Sequence, residues 1–160
     1  MAKLERKAYA TYVDANFGTG TKDWFLIGKD IEDMSVELNS DTETVKNILG
    51  ENAVKDNGYA PSVTADPYYA NPDDGAIYTK LKDIAMNRLK GDDCKSTILE
   101  VIIDDDDTSN LDAWTEDVLI KPTSYGGGTE GVNIPFDIVF AGNRKQVKVE
   151  ISEGTIRILP

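Results

Sequence analysis

Between Asn133 and Phe140 the chain alternates without a break: Ile134, Phe136, Ile138 and Phe140 on one parity, Asn133, Pro135, Asp137 and Val139 on the other. Successive side chains of an extended strand project to opposite faces, so this pattern turns one face to a core and the other elsewhere. The same period of two marks Thr97–Ile103, Ala113–Ser124, Val132–Ala141 and Arg144–Ser152, which are separated by turns containing Asp, Gly or Asn. Upstream, Trp24–Lys29 is dense in aromatic and aliphatic residues, and Asp33–Asn39 alternates Met34, Val36 and Leu38 with Ser35, Glu37 and Asn39. Both segments read as strands. Thr42–Leu49 is rich in β-branched residues and also reads as a strand, although its mixed period fits a short helix too.

Asn57-Gly58 lies between Ala53–Asp56 and Tyr59–Ala65, and this residue pair is the strongest short-range signal for a tight hairpin. Pro61 places the second of its strands at a sheet edge, and the hairpin is expected to project from the body. One helix interrupts the strands. Asn71 can cap it, Pro72 suits its first position, and Asp73 and Asp74 complement the positive end of its dipole. Ile77, Leu81, Ile84, Ala85 and Leu89 form one stripe, and Gly91 is placed to end the helix in a left-handed conformation. The fold class expected is mainly β: an antiparallel β-sandwich with one flanking α-helix over about residues 72–90. Residues 1–23, ending in Gly18, Thr19, Gly20 and Thr21, read as a flexible N-terminal arm, and 24–160 as a single domain. A 160-residue chain with 40% hydrophobic content is long enough for one domain with a real core and too short for two full domains.

The residue inventory excludes several kinds of chemistry. Histidine is absent, which removes the commonest general base and zinc ligand. The formal charge of −12 disfavours an electrostatic grip on nucleic acid, and Lys80, Lys82, Arg88 and Lys90 are scattered rather than clustered. Cys94 is the lone cysteine, so no internal disulfide forms, and with no histidine partner it reads as a buried inert thiol. The start of the chain lacks the apolar core of a signal peptide, and no stretch reaches the length of a membrane span. Asp104–Asp107 lacks the spaced calcium-loop pattern and reads as a solvated loop, as do Asp92 and Asp93. Gly126–Gly128 is not followed by the Gly-Lys-Ser/Thr of a phosphate loop and reads as a flexible turn. Trp24 and Trp114 read as core or interface anchors, and Tyr68-Tyr69 as packing between layers. No catalytic residue, metal ligand or cofactor site is nominated.

Read in order, several segments resemble the tail-tube (major tail) proteins of phages and prophages of Gram-positive bacteria. They are Gly28–Asn39, Asp41–Ile48 with Gly50-Glu51, Asn57–Ser62, Asp66–Tyr69 with Asn71–Asp74, Ala85–Arg88, Tyr125–Gly128 and Ile134–Gly142. The resemblance covers almost the whole chain. It implies a structural virion protein that is not an enzyme, forming homohexameric rings that stack into a hollow tube and conduct DNA during ejection. It also implies tape measure, tail terminator and distal tail proteins as partners, and a place in the virion tail after assembly in the host cytoplasm. DNA passes transiently and without sequence preference, and no membrane is engaged.

If each subunit adds a sheet to a common barrel, its polar face lines the bore, which nominates Glu37, Glu43, Asp137 and Glu150 as lumen residues. Tyr9 and Tyr12 in the arm, with Asn57, Gly58 and Tyr59 in the hairpin, are the candidates for ring-to-ring contact. Two alternatives stay open: the inner tube of a contractile tail, tailocin or secretion-type injection machine, and a monomeric acidic β-sandwich binding module using Asp104–Asp107.

Overall fold

In a computed structural model the described residues run from Lys3 to Pro160; residues 1 and 2 of the expected arm lie outside them. The strands are β1 (Tyr9–Asp14), β2 (Trp24–Ile27), β3 (Thr42–Lys46), β4 (Asn52–Asp56) and β5 (Ser62–Ala65). The helix α1 (Ala76–Asn87) follows, then β6 (Lys95–Ile102), β7 (Leu111–Pro122), β8 (Phe136–Ser152) and β9 (Thr155–Ile158). Seven strands form one antiparallel sheet in the order β2-β1-β6-β7-β8-β5, with β9 also on β8, while β3 and β4 pair only with each other. The fold is mainly β, with curled antiparallel sheets and one helix.

Alternation places the core. On β1, β6, β7 and β8 one parity feeds a first cluster through Val13, Ile98, Val118, Ile120, Phe136 and Ile138. The other parity feeds a second cluster through Ala10, Tyr12, Leu99, Val101, Leu111, Ala113 and Val149. The central strands β1 and β6 are thus buried on both faces, polar Thr11, Asp14, Ser96 and Glu100 included. Ile77, Leu81 and Ile84 on one stripe of α1 cover the first face. Tyr68 fills the corner between layers as expected, edge-on to Phe25 and Phe136 with ring centroids 6.5 and 6.0 Å away.

Several boundaries differ from the sequence expectation. The flexible arm is corrected: Tyr9–Asp14 is a strand inside the sheet, between β2 and β6, because its apolar residues supply both cores. Asp33–Asn39 forms no strand. It packs Met34 and Val36 onto the first core and meets the β5 side through an isolated Glu37–Ser62 bridge and the Ala60 N–H on the Leu38 carbonyl at 3.1 Å. Asn57-Gly58 is not the hairpin turn, since β4 returns on β3 through Asn47–Glu51, and β5 pairs with β8. The Asn71 cap operates on a 3-10 turn, Pro72–Asp74, with its side chain accepting from the Asp73 N–H at 3.0 Å. Gly75, at φ 78°, separates that turn from α1, and Arg88 rather than Gly91 takes the left-handed position at the helix end. The Gly142-Asn143 turn signal becomes a bulged bend within one 17-residue strand, β8.

Two polar features hold this sheet. Asp14, 1% exposed, accepts the backbone N–H groups of Asn16 and Gly18 at 3.0 Å and of Asp23 at 3.1 Å. One carboxylate therefore organises the whole β1–β2 connection, with Lys22 3.4 Å away. The second feature ties four strands. Arg144 of β8 donates to Glu100 of β6 at 2.9 Å and to Glu116 of β7 at 3.1 Å, and Tyr9 of β1 donates to the other Glu100 oxygen. Burial, and then the bond to Glu100, push the Tyr9 phenol up in pKa.

Replacing Asp14 with Ala orphans three backbone donors and is expected to cost about 3 kcal/mol in urea unfolding, with Asp14→Asn costing roughly half. Arg144→Ala is expected to cost about 2 kcal/mol, less than a fully buried pair because the Arg144 side chain is 44% exposed. Glu116 also accepts the Gly142 N–H at 3.1 Å, so the triple change Glu100→Gln, Glu116→Gln, Arg144→Met, which removes the charges and keeps acceptors for Tyr9 and Gly142, is expected to cost less than Arg144→Ala on the same measurement.

Candidate functional site

The feature of this fold most in need of a partner is the β3–β4 hairpin. All ten residues of its two strands are exposed, and its strands belong to a sheet of their own. An isolated two-stranded hairpin is marginal in water, and this one carries exposed apolar residues on both strands, Val45 and Val54. Its tip is built, not loose. The Asn47 side chain accepts the N–H groups of Leu49 at 2.9 Å and Glu51 at 3.0 Å, and Gly50 donates to the Asn47 carbonyl at 3.0 Å. This turn thrusts Ile48 and Leu49 outward at 102% and 78% exposure. Burying two such side chains against a neighbour would recover about 1.5–3 kcal/mol each.

Sequence reading missed this tip, taking Ile48 and Leu49 as the end of a strand. The available signal was Asn47 and Gly50 three residues apart, which can close a tight turn around two apolar residues. Of the residues nominated for ring contacts, Asn57, Gly58 and Tyr59 lie at the hairpin's base rather than its tip. Tyr59 is exposed there. Tyr12 is corrected: its ring sits in the second core, so it has no face to offer a neighbour. Tyr9 is half-buried and held by Glu100.

The base of the hairpin overlooks a cleft of about 610 Å³. Met34, Val36, Leu38, Tyr59 and Phe140 line its apolar wall, and Arg6, Glu100, Glu116 and Arg144 its polar wall. Arg6 reaches over it, donating to the Met34 carbonyl at 3.0 Å with its guanidinium 5.2 Å from the Tyr9 ring.

The four lumen candidates do not form one wall in a single subunit. Glu37 and Asp137 both flank β5, Glu37 through its bridge to Ser62 and Asp137 by accepting from the Thr64 hydroxyl at 2.7 Å. Glu43 is out on the hairpin, paired with Lys55 at 3.6 Å, and Glu150 is toward the end of β8, paired with Arg157 at 2.5 Å. The sheet's outermost strands are β2 and β5, the latter covered by Glu37 at Ser62, with β9 beside the later half of β8.

The remaining candidates fall into place locally. Cys94 is buried and directs its thiol to the Leu89 carbonyl at 3.5 Å, with Lys121 Nζ 3.6 Å away. Asp104–Asp107 are exposed in the β6–β7 loop. Trp24 packs against the second core, and Trp114 lies opposite Gln146 on β7. The glycine run is a tight loop and not a slack one: Gly126 and Asn133 exchange backbone hydrogen bonds at 3.1 and 2.6 Å. Gly127, at φ 122°, leaves no room for a Cβ, which would meet the Gly131 carbonyl at 2.5 Å.

No protein-family model matches the chain. No curated protein matches it in sequence. Solved structures do. The sheath/tube terminator of an extracellular contractile injection system, PVC, in its extended state superposes with a TM-score of 0.54 at 11% identity. That match covers 91% of this chain and 97% of the other. The tube-terminating cap of the anti-feeding prophage superposes at 0.51 with 15% identity, covering 91% of each chain. At these identities the likeness is one of fold: this chain folds as tube-terminating proteins of contractile injection systems do.

Proposed function

We propose that this chain is the tail-tube subunit of a phage or prophage, closing into hexameric rings that stack into a hollow tube and conduct DNA during ejection. The observation that carries the reading is the exposed hairpin whose closed turn holds Ile48 and Leu49 at its tip. A lone subunit gains nothing from such an element. In a stack, each tip is buried by the next ring, and six tips recover roughly 20 kcal/mol or more before ordering costs. Ring closure accounts for the sheet's outermost strands in the same way, since neighbouring copies can cover them.

Six copies of a −12 chain place about −72 on each ring, so phosphate is repelled from the wall it passes. Glu37 and Asp137, together beside β5, are the pair we assign to the bore. The action proposed is mechanical, with no residue in a catalytic role. On the same reading the partners are further copies of this chain, together with tape measure, terminator and distal tail proteins. The protein then resides in the virion tail after assembly in the host cytoplasm.

A second reading is favoured by a specific observation, the tube-terminating function named for both structural neighbours. In it the chain forms one ring that closes a tube instead of a repeating stack, in a contractile or a non-contractile machine. The two readings give different particles. Concentrated protein is expected to form hollow tubes in the electron microscope under the first, and isolated rings under the second. Monomers at every concentration would sink both. Ile48→Asp with Leu49→Asp is expected to leave the free energy of unfolding in urea within about 0.5 kcal/mol of the parent, since the tip is exposed, while abolishing stacking. Tubes that still grow from this variant would remove the tip from the contact.

A further inference from the structure

Asn57-Gly58 carries the strongest turn signal in the sequence, yet it closes no turn of the hairpin. It sits instead where β4 leaves the hairpin, and its backbone fastens the hairpin's base. The Asn57 N–H donates to the Asp41 carbonyl at 2.7 Å, and the Asp41 N–H donates to the Gly58 carbonyl at 3.0 Å. The Asn57 side chain is exposed and takes part in no hydrogen bond among the described residues. Gly58 stands at φ 87°, and nothing beyond its chain neighbours lies within 4 Å of where a Cβ would be, so the turn is not packed against other parts of the fold there. The Gly58 N–H points at the carboxylate of Asp56, 2.8 Å from Oδ1.

We propose that Asn57 is a self-modification site, which deamidates through a succinimide with the Asp56 carboxylate as the base. The Gly58 nitrogen attacks the Asn57 side-chain carbonyl carbon while Asp56 takes the Gly58 proton. The bond from that carbon to the amide nitrogen breaks, and ammonia leaves with the proton returned through Asp56 or water. A new bond from the same carbon to the Gly58 nitrogen closes the ring. One water then opens the ring at either carbonyl, giving aspartate or isoaspartate. A carboxylate at hydrogen-bond distance from the proton it removes has the geometry of a general base.

The isoaspartate product puts an extra methylene into the main chain between the two hydrogen bonds that close the hairpin's base. Both products add a negative charge next to Asp56 in the chain and at the residue whose backbone bonds Asp41. The hairpin base therefore loosens as the protein ages. This chemistry belongs to the single subunit; any effect on tube growth rests on the tail-tube reading and is measured separately, by microscopy.

The test is incubation of the full chain in warm neutral buffer, followed by peptide mapping of the segment after Lys55. Folded protein is expected to gain about 1 Da at Asn57, the amide-to-acid exchange, at least as fast as the same chain held unfolded in urea. Asp56→Asn keeps a hydrogen-bond acceptor but is no base, and is expected to slow conversion about tenfold, below the roughly 100-fold that positioned bases supply in enclosed sites. Asn57→Gln is expected to stay unconverted. A folded chain slower than the unfolded one, or Asp56→Asn converting as fast as the parent or faster, would overturn the proposal. Amide exchange on the separated isoaspartyl form is expected to show lost protection at residues 41 and 57; unchanged protection would overturn the loosening.

Discussion

Burial of both faces of the central strands is the constraint on which the rest of this structure depends. β6 sends Ile98 to one core and Leu99 and Val101 to the other, and β1 divides Val13 from Ala10 and Tyr12 in the same way. A strand committed on both faces cannot slip by one residue without exchanging its two sets of neighbours, so register is fixed at the centre. Freedom is left at the periphery. The edges β2 and β5, the strand β9 and the β3–β4 hairpin are where backbone or apolar surface remains to be covered. Those are the parts through which the protein is proposed to act.

The polar ties reinforce that division. Arg144 with Glu100, Glu116 and Tyr9 joins β1, β6, β7 and β8 on the face where the first core runs out, and its cost in desolvation is set against fixed alignment of four strands. Asp14 performs the same service for the β1–β2 connection, exchanging three backbone donors for one buried carboxylate. The hairpin has no comparable anchor. It is held at its base by backbone bonds between Asp41, Asn57 and Gly58 and by the Asn39 side chain on the Ala60 carbonyl at 2.9 Å. A core fixed on both faces with one lightly fastened projection fits the proposed assembly of copies.

Much of this was already legible in residue order. The period-two runs located the later strands, because alternation depends only on which side of a pleat a residue occupies. The stripe Ile77, Leu81 and Ile84 located the helix, and the acidic balance and missing histidine narrowed the chemistry. Asn71 and Pro72 correctly marked a helical start, but Gly75 divided that start from the helix proper. Local signals name what a segment can do, and a single backbone conformation then decides how far it runs.

Tertiary structure alone decided the pairing. Asn57-Gly58 had the composition of a hairpin turn, but β5 gains more by joining β8, where Val63 and Ala65 enter the first core, than by folding back on β4. Tyr12 looked like part of an arm because polar and glycine residues follow it, and only the sheet revealed that its ring completes the second core. Ile48 and Leu49 looked like ordinary strand residues until Asn47 was seen to turn the chain beneath them. The sequence by itself determined a mainly β chain with one helix, because those properties are sums over local choices. Which apolar residues were left facing outward depended on contacts between segments far apart in the chain, and no local pattern contains them.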